Sequence, residues 1–385
     1  MKKILVIHTK YRITGGEDIA VESEVSTLKD KFHVETLFFS NKQLGNYFLQ
    51  LIYFLINRNP KANQILIEKL KTFNPDIVYI HNTWFKASLG IFKAIKSSNT
   101  DYVIKLHNYR FNCGRFITKY GHLKNKNICD ACGMKNNSNI LFNKYFKDSY
   151  LKSIFLIIYS KRYFKVLKNS KILTLTKFQK DFLINIGFES KNIDILVNPM
   201  DHIRLKNSNS NLELKPKSYL IYAGLISEEK GIRELIETYK LLVNYDKKLV
   251  LVGEGPLLNT LKMNNKNKNI IFLGKMNNSD VISLIKNSYS VITNTRLYEG
   301  QPTLLSEASK LGVNSIYPKS GGISEFFPED NPFSFKPKSE IELLKKLKLL
   351  KHEDVVERQS EKNSEHIEPM LSVENYLSKF KELIQ

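Results

Sequence analysis

Short apolar runs alternate with amphipathic stretches along this chain, and the alternation occurs twice. In the first half the runs KILVIHT (3–9), HVETLFF (33–39), DIVYIHN (76–82), YVIKLHN (102–108) and KILTLT (171–176) have the length and β-branched content of buried strands. Amphipathic segments such as 17–31 lie between several of them. Strand, helix, strand at this spacing predicts a parallel sheet crossed by helices, because parallel strands need long connections and bury both faces. The polar stretch NPMDHIRLKNSNSNLELKPKS (198–218) then interrupts the pattern and reads as a linker. Beyond it come SYLIYAG (218–224), KLVLVGEG (248–255), NIIFLG (269–274), SVITNT (290–295) and NSIYP (314–318). At 385 residues the chain is too long for one core. The expectation is an α/β protein of two Rossmann-like doubly wound domains facing a cleft, 1–200 and 201–385, with the last helix free to pack back on the first domain. Ligands of such sheets bind beyond the carboxyl ends of the strands.

The most informative stretch is YEGQPTLLSE, residues 298–307. It follows the strand candidate SVITNT, and Pro302 suits a first helical position, where its missing N–H costs nothing. Gly312 is a fitting stop. A helix N-terminus at a sheet's carboxyl edge attracts anions. Two carboxylates, Glu299 and Glu307, make sense there if they accept hydrogen bonds from hydroxyls flanking a phosphate. A phosphate between hydroxyl-bearing groups describes a nucleotide sugar. AGLISEEKG (223–231) offers Lys230 as a phosphate counter-ion, and VGEGP (252–256) and SGGISE (320–325) are glycine turns at strand ends.

In this order GLISEEKG, LVGEGP, FLG, YEGQPTLLSEASKLG and SGGISE resemble the retaining glycosyltransferases of family 4, which have the GT-B fold. The likeness runs along nearly the whole chain and is most specific in the second half. It implies that Glu299 contacts the donor sugar, Glu307 the ribose and Lys230 the diphosphate, with amides around Gly300, Pro302, Thr303 and Leu304 completing the phosphate site. It implies no catalytic metal. It further implies a UDP-linked donor, a glycan or polyprenyl-linked acceptor, and a place in capsule, O-antigen or other surface-polysaccharide synthesis. One position departs from the pattern: Leu225 stands where the family usually has Arg. Either another cation such as Arg296 replaces it, or donor binding is weaker. Loss of activity, leaving a nucleotide-sugar-binding scaffold, is the alternative reading.

The first half contributes TGGEDIAVESEVSTL (14–28), whose Gly15 and Gly16 permit a tight turn at a helix start. By the resemblance Gly16 lies beside the donor phosphate. His81 and His107 end strand candidates. The family commonly has a histidine at the position of His107, near the transferred sugar, so His107 joins Glu299 as a catalytic candidate. A structural hydrogen bond is the plainer role for either histidine.

All three cysteines, Cys113, Cys129 and Cys132, fall close together, the last two as CDAC. With His122 or His107 they could hold a structural zinc ion; buried thiols are the plainer reading. The net charge of +21 is also local. Residues 115–171 hold thirteen Lys or Arg, two acids and ten Phe or Tyr. In 143–171 these interleave as on a helix resting on an anionic membrane, or as on a core helix with a solvated basic face. Nucleic acid is a weaker choice of polyanion, since no helix-turn-helix, zinc-finger or RNP pattern is present. MKKILVIHTK lacks a cleavage site, and YFLQLIYFLI (47–56) is too short to span a bilayer. The expectation is a cytoplasmic protein, peripheral on the inner face of the cell membrane.

Overall fold

The computed structural model describes residues 1–12, 15–42, 46–116, 123, 127–133, 149–200 and 214–384. The chain forms two compact units, one of Met1–Pro199 with Val373–Gln385, the other of Met200–Ser372. The expected linker at 198–218 begins at this division, and its residues 201–213 lie outside the described set.

The first unit is built on a six-stranded, wholly parallel sheet of order β2-β1-β3-β4-β5-β6. Its strands are β1 (Lys3–Lys10), β2 (His33–Ser40), β3 (Ile77–Ile80), β4 (Asp101–Lys105), β5 (Lys171–Thr174) and β6 (Ile193–Ile195). β1 leads outward to β2, and the chain then returns to place β3 on the other side of β1. That reversal opens a crevice beyond the carboxyl ends of β1 and β3. One face of the sheet is covered by helices Pro60–Phe73, Gly90–Ser97 and Tyr150–Lys168 around Leu5, Ile7, Val78 and Ile80. On the other face lie helix Gly16–Leu28 and the C-terminal helix Val373–Leu383, whose Tyr376, Leu377 and Phe380 are buried against Ile4, Tyr79 and Val103.

The second unit has the order β12-β11-β10-β7-β8-β9. Its strands are β7 (Tyr219–Ala223), β8 (Lys248–Val252), β9 (Ile270–Gly274), β10 (Ser290–Ile292), β11 (Asn314–Pro318) and β12 (Ser334–Phe335). All pairings are parallel. Helix Ile232–Lys240 buries Ile232, Leu235, Ile236 and Tyr239, an i, i+3, i+4, i+7 stripe, against Leu220, Leu249 and Leu251. Here the reversal lies between β7 and β10.

The ten expected strands are all present; β1 and β2 run one residue longer than expected, β11 has the expected bounds, and the others are trimmed at one end or both. β4 stops at Lys105, so His107 lies on the loop beyond it rather than in the strand. β6 and β12, three and two residues long, were not anticipated. The basic aromatic segment appears as helix Tyr150–Lys168, while 143–148 lie outside the described residues. Phe155, Tyr159 and Leu167 of that helix belong to the main core of the first unit. Among the described residues no helix is long and apolar enough to cross a membrane.

Candidate active site

In the second unit the site forms where β7 and β10 diverge. Gly224 directly follows β7 and Gly253 directly follows β8, and the backbone there is too close for side chains. A Cβ on Gly253 (φ +132°) would meet the Gly224 carbonyl oxygen at 1.9 Å, and one on Gly255 (φ +158°) the Ile226 oxygen at 2.2 Å. The chain then turns through Gly231 (φ +66°), where the Asn294 carbonyl oxygen lies 2.2 Å from a would-be Cβ and the Asn294 side chain donates to Gly231 O at 2.9 Å. This contact sets Lys230 beside the end of β10.

Lys230 pairs with Glu299, whose Oε1 also accepts from Thr295 Oγ1 at 3.1 Å. Both charged side chains are about a quarter exposed, at 25% and 26%. The Glu299 backbone is pinned by a parallel bridge to Gly321 and by Gly322 N–H donating to its carbonyl at 2.8 Å. Gly321 (φ +64°) is needed there, because a Cβ would lie 2.6 Å from Glu299 N and O. The SGGISE turn therefore clamps the carboxylate loop.

Helix Thr303–Lys310 follows, with Pro302 at its N-cap, one position before the expected site, and Gly312 (φ +66°) after its end. Thr303 is exposed and Leu304 half-buried in the first turn of this helix, which begins three residues after Gly300 in the chain. Glu307 lies one turn further on. Burial pushes its carboxyl from 4.5 to about 7, and among the described residues nothing donates a hydrogen bond to it. A desolvated carboxylate with unused acceptor capacity suits a ligand that brings hydroxyl donors. Leu225 is 49% exposed. Arg296, its suggested replacement, is held by Glu234 at 2.6 Å, and its amide donates to Glu229 O.

Gly16 and His107 belong to the first unit. Gly16 is exposed at the start of helix Gly16–Leu28, and nothing lies within 4 Å of a Cβ built on it. His107 lines a pocket of about 170 Å³, together with Tyr11, Glu17, His81, Arg110 and Tyr159. Its Nε2 and His81 Nδ1 are 2.9 Å apart, and burial holds both rings well below the ordinary histidine range. Burial thus favours the neutral form of both rings, which face each other through one hydrogen bond, a contact that His107 alone in sequence does not reveal. Beneath them Lys105 Nζ bonds Glu24 Oε1 at 2.9 Å with both side chains fully buried, and Tyr79 and Tyr376 hydroxyls donate to Glu24 Oε2 at 2.7 Å. Acceptor atoms of Glu24, His81 and His107 lie within 4.8 Å of one another, but the Lys105 ammonium already supplies the positive charge there.

Glu17 was not singled out by sequence. Tyr11 Oη donates to its Oε2 at 3.0 Å and Asn108 Nδ2 at 3.2 Å, and burial raises its carboxyl to about 7. The available signal was its place directly after the glycine pair of the first strand–helix turn. The three cysteines of the first unit come together, with Cys113 Sγ and Cys129 Sγ 3.7 Å apart. His122 lies outside the described residues.

Two doubly wound parallel units, each with its crevice at the strand-order reversal, define the GT-B class of folds. Residues 203–366, within the second unit, match the family of glycosyl transferases group 1. The chain is 29% identical over 214 residues to TuaC of Bacillus subtilis (strain 168), named for teichuronic acid biosynthesis; the match covers 51% of this chain and 52% of that protein. It is 25% identical over 152 residues to the amylovoran biosynthesis glycosyltransferase AmsD of Erwinia amylovora, covering 38% and 42%. These matches thus span about half the length of the curated relatives. Among solved structures, HepE of Anabaena in complex with UDP and glucose superposes with a TM-score of 0.70 at 15% identity over 99% of both chains. Sucrose-phosphate synthase of Thermosynechococcus elongatus superposes with 0.74 at 12% identity over 100% of this chain and 98% of that one.

Proposed function

We propose that this protein is a glycosyltransferase that takes a sugar from a UDP-linked donor and retains its anomeric configuration. One observation carries the reading. At the carboxyl edge of the second sheet stand Lys230, Glu299, a helix N-terminus and Glu307, which has no hydrogen-bond donor among the described residues, and together they match the parts of a nucleotide sugar. In this reading Glu307 accepts from the ribose, the amides at Thr303 and Leu304 with Lys230 take the diphosphate, and Glu299 accepts from the sugar hydroxyls. Arg296 is held by Glu234, whereas Lys230 pairs with Glu299, itself a site residue, so the phosphates would draw on a cation already placed at the site. The family match to this unit and the UDP complexes of HepE support the donor class. In the transfer step the C1–oxygen bond of the donor breaks and its electrons pass to the diphosphate. The acceptor oxygen bonds C1 from the same face, and its proton goes to the departing phosphate oxygen.

The acceptor in this reading is a glycan or a polyprenyl-linked glycan of a surface polysaccharide, in keeping with the relatives' names. The protein reaches it by resting on the inner face of the cell membrane. Helix Tyr47–Ile56 exposes Phe48 (69%) and Ile56 (54%), and helix Tyr150–Lys168 exposes Leu151 (57%) beside a basic face. The two helices are joined by Arg162 donating to Leu55 O at 3.3 Å. Apolar side chains ringed by Lys and Arg suit an anionic bilayer.

The test is a thermal-shift screen of nucleotide sugars, followed by UDP release and anomer assignment of the product by NMR. Stabilisation by UDP-sugars and a product of unchanged anomer are expected. Stabilisation without release or transfer would favour the inactive-scaffold reading that exposed Leu225 suggests.

A further inference from the structure

Cys113 ends the short helix Arg110–Cys113, while Cys129 and Cys132 lie on the turn at 127–133. The three sulfurs all lie within 4.8 Å of one another, and Cys113 Sγ is 3.7 Å from Cys129 Sγ. A disulfide would bring two sulfurs to about 2.05 Å. A tetrahedral zinc ion with bonds of about 2.3 Å holds neighbouring sulfurs about 3.8 Å apart. The observed separation fits the second geometry.

The backbone of the turn agrees. In Cys129-Asp130-Ala131-Cys132-Gly133 the glycine adopts φ +74°, and its N–H donates to the Cys129 carbonyl at 2.8 Å. The chain thereby folds back over Cys129 and brings the two cysteines together. A residue with a side chain would be strained at Gly133.

Packing adds a reason for a metal. Cys113, Leu123 and Cys129, with Ala131 and Cys132, make a small cluster separate from the main cores. Among the described residues one leucine and one alanine are the apolar partners of these cysteines, little surface to set against the chain entropy of such a turn. A bound metal supplies that stabilisation where a small core cannot.

We propose that Cys113, Cys129 and Cys132 bind one zinc ion as thiolates and so tie helix Arg110–Cys113 to the turn at 127–133. A three-sulfur site leaves one corner for water or for a nitrogen or oxygen donor. Three thiolates and the dication carry a net charge of −1, and Arg115 lies close enough to Cys113 to feel its charge. The ion is structural and stands apart from the reacting atoms. Its effect reaches the first unit's pocket, because Arg110 and Phe111 of the tied helix line that pocket. At the same end of the helix a Cβ on Gly114 would lie 2.4 Å from Ser160 Oγ, so this end is pressed against helix Tyr150–Lys168.

The experiment uses full-length protein purified without a metal-affinity tag or chelator. Elemental analysis should find one zinc per chain. Denaturing mass spectrometry should find three reduced thiols. Replacement by cobalt(II) should give thiolate-to-cobalt charge transfer in the near ultraviolet and intense visible bands of a tetrahedral site. A mercurial titrating three thiols should release the zinc to a colorimetric chelator, a measurement that needs no variant. Cys113→Ser and Cys132→Ser should each lose most of the metal, with UDP affinity of the second unit as the check on folding. Metal-free wild type whose thiols react at once, a Cys113–Cys129 disulfide, or zinc retained in the double variant Cys129→Ser/Cys132→Ser would each overturn the proposal.

Discussion

Glu307→Gln separates the charge of this carboxylate from its shape. In the empty folded protein burial raises its carboxyl from 4.5 to about 7, while in the unfolded chain it titrates near 4.5. A shift of this size corresponds to about 3 kcal/mol. Between those two values the folded state holds more protons than the unfolded state. Stability therefore falls as pH rises through the window, and above it the full cost of a desolvated carboxylate is present. Ribose hydroxyls donating to that carboxylate would offset the cost, and hydrogen bonds to a charged acceptor are worth about 1.5–3 kcal/mol. The wild type should thus bind UDP roughly 10–150-fold more tightly than Glu307→Gln at pH 8, by the same range. At pH 5.5, where wild-type Glu307 is itself protonated, the two should converge. The assay is isothermal calorimetry at both values, read as the ratio of the two proteins' affinities, so that titration of the UDP phosphate cancels. Equal affinities at pH 8, or a ratio that does not change with pH, would refute the assignment of Glu307 to the ribose.

Glu299→Gln should leave UDP affinity nearly unchanged while transfer from the UDP-sugar falls, and a loss of UDP affinity as large as that of Glu307→Gln would show that the two roles are misplaced. Gly231→Ala forces a side chain onto Asn294 at positive φ, strain of roughly 1–3 kcal/mol before the clash is counted; differential scanning calorimetry should show the melting of the second unit lowered. Lys105→Met leaves Glu24 charged and buried and should cost about 3–5 kcal/mol in denaturant melts, with the double variant Lys105→Met/Glu24→Leu recovering much of it. Changing Lys161, Arg162 and Lys165 to Glu should abolish sedimentation with anionic vesicles but keep UDP affinity, whereas vesicle binding equal to wild type would remove the membrane from the account.

The sheets were legible because buried parallel strands are nearly continuous apolar runs, and β1, β3, β7 and β8 are that. β6 and β12 are too short to show a period. The turn at 298–312 was legible to within one residue, since Pro302 and Gly312 act through local backbone chemistry. The pairing of Lys230 with Glu299 was not legible, because it depends on β7 lying beside β10, and strand order leaves no local trace. Nor was the fate of Arg296, which looked available until Glu234 came beside it in space. The segment 17–31 was read as amphipathic, yet Asp18 and Glu24 of helix Gly16–Leu28 are buried, at 2% and 0% exposure. Their partners, His8 and Lys105, come from the sheet, so burial here is decided by a hydrogen bond to Asp18 and an ion pair with Glu24 rather than by hydropathy.

The helix Val373–Leu383 returns to the first unit, with its Tyr376 hydroxyl on Glu24, 352 residues away in sequence. The second unit is thus an insertion, and its own ends meet where Met200 N–H donates to Leu371 O at 3.0 Å. On the ribosome this sets an order of assembly. Residues 200–372 emerge as a closed unit while the first unit, begun much earlier, still lacks one of its covering helices. Until that helix arrives, Ile4, Tyr79 and Val103 lack part of their cover, and Glu24 lacks the Tyr376 hydroxyl. The nascent first unit is then the part most in need of chaperones, and a truncation near residue 372 should harm it rather than the unit that the cut adjoins.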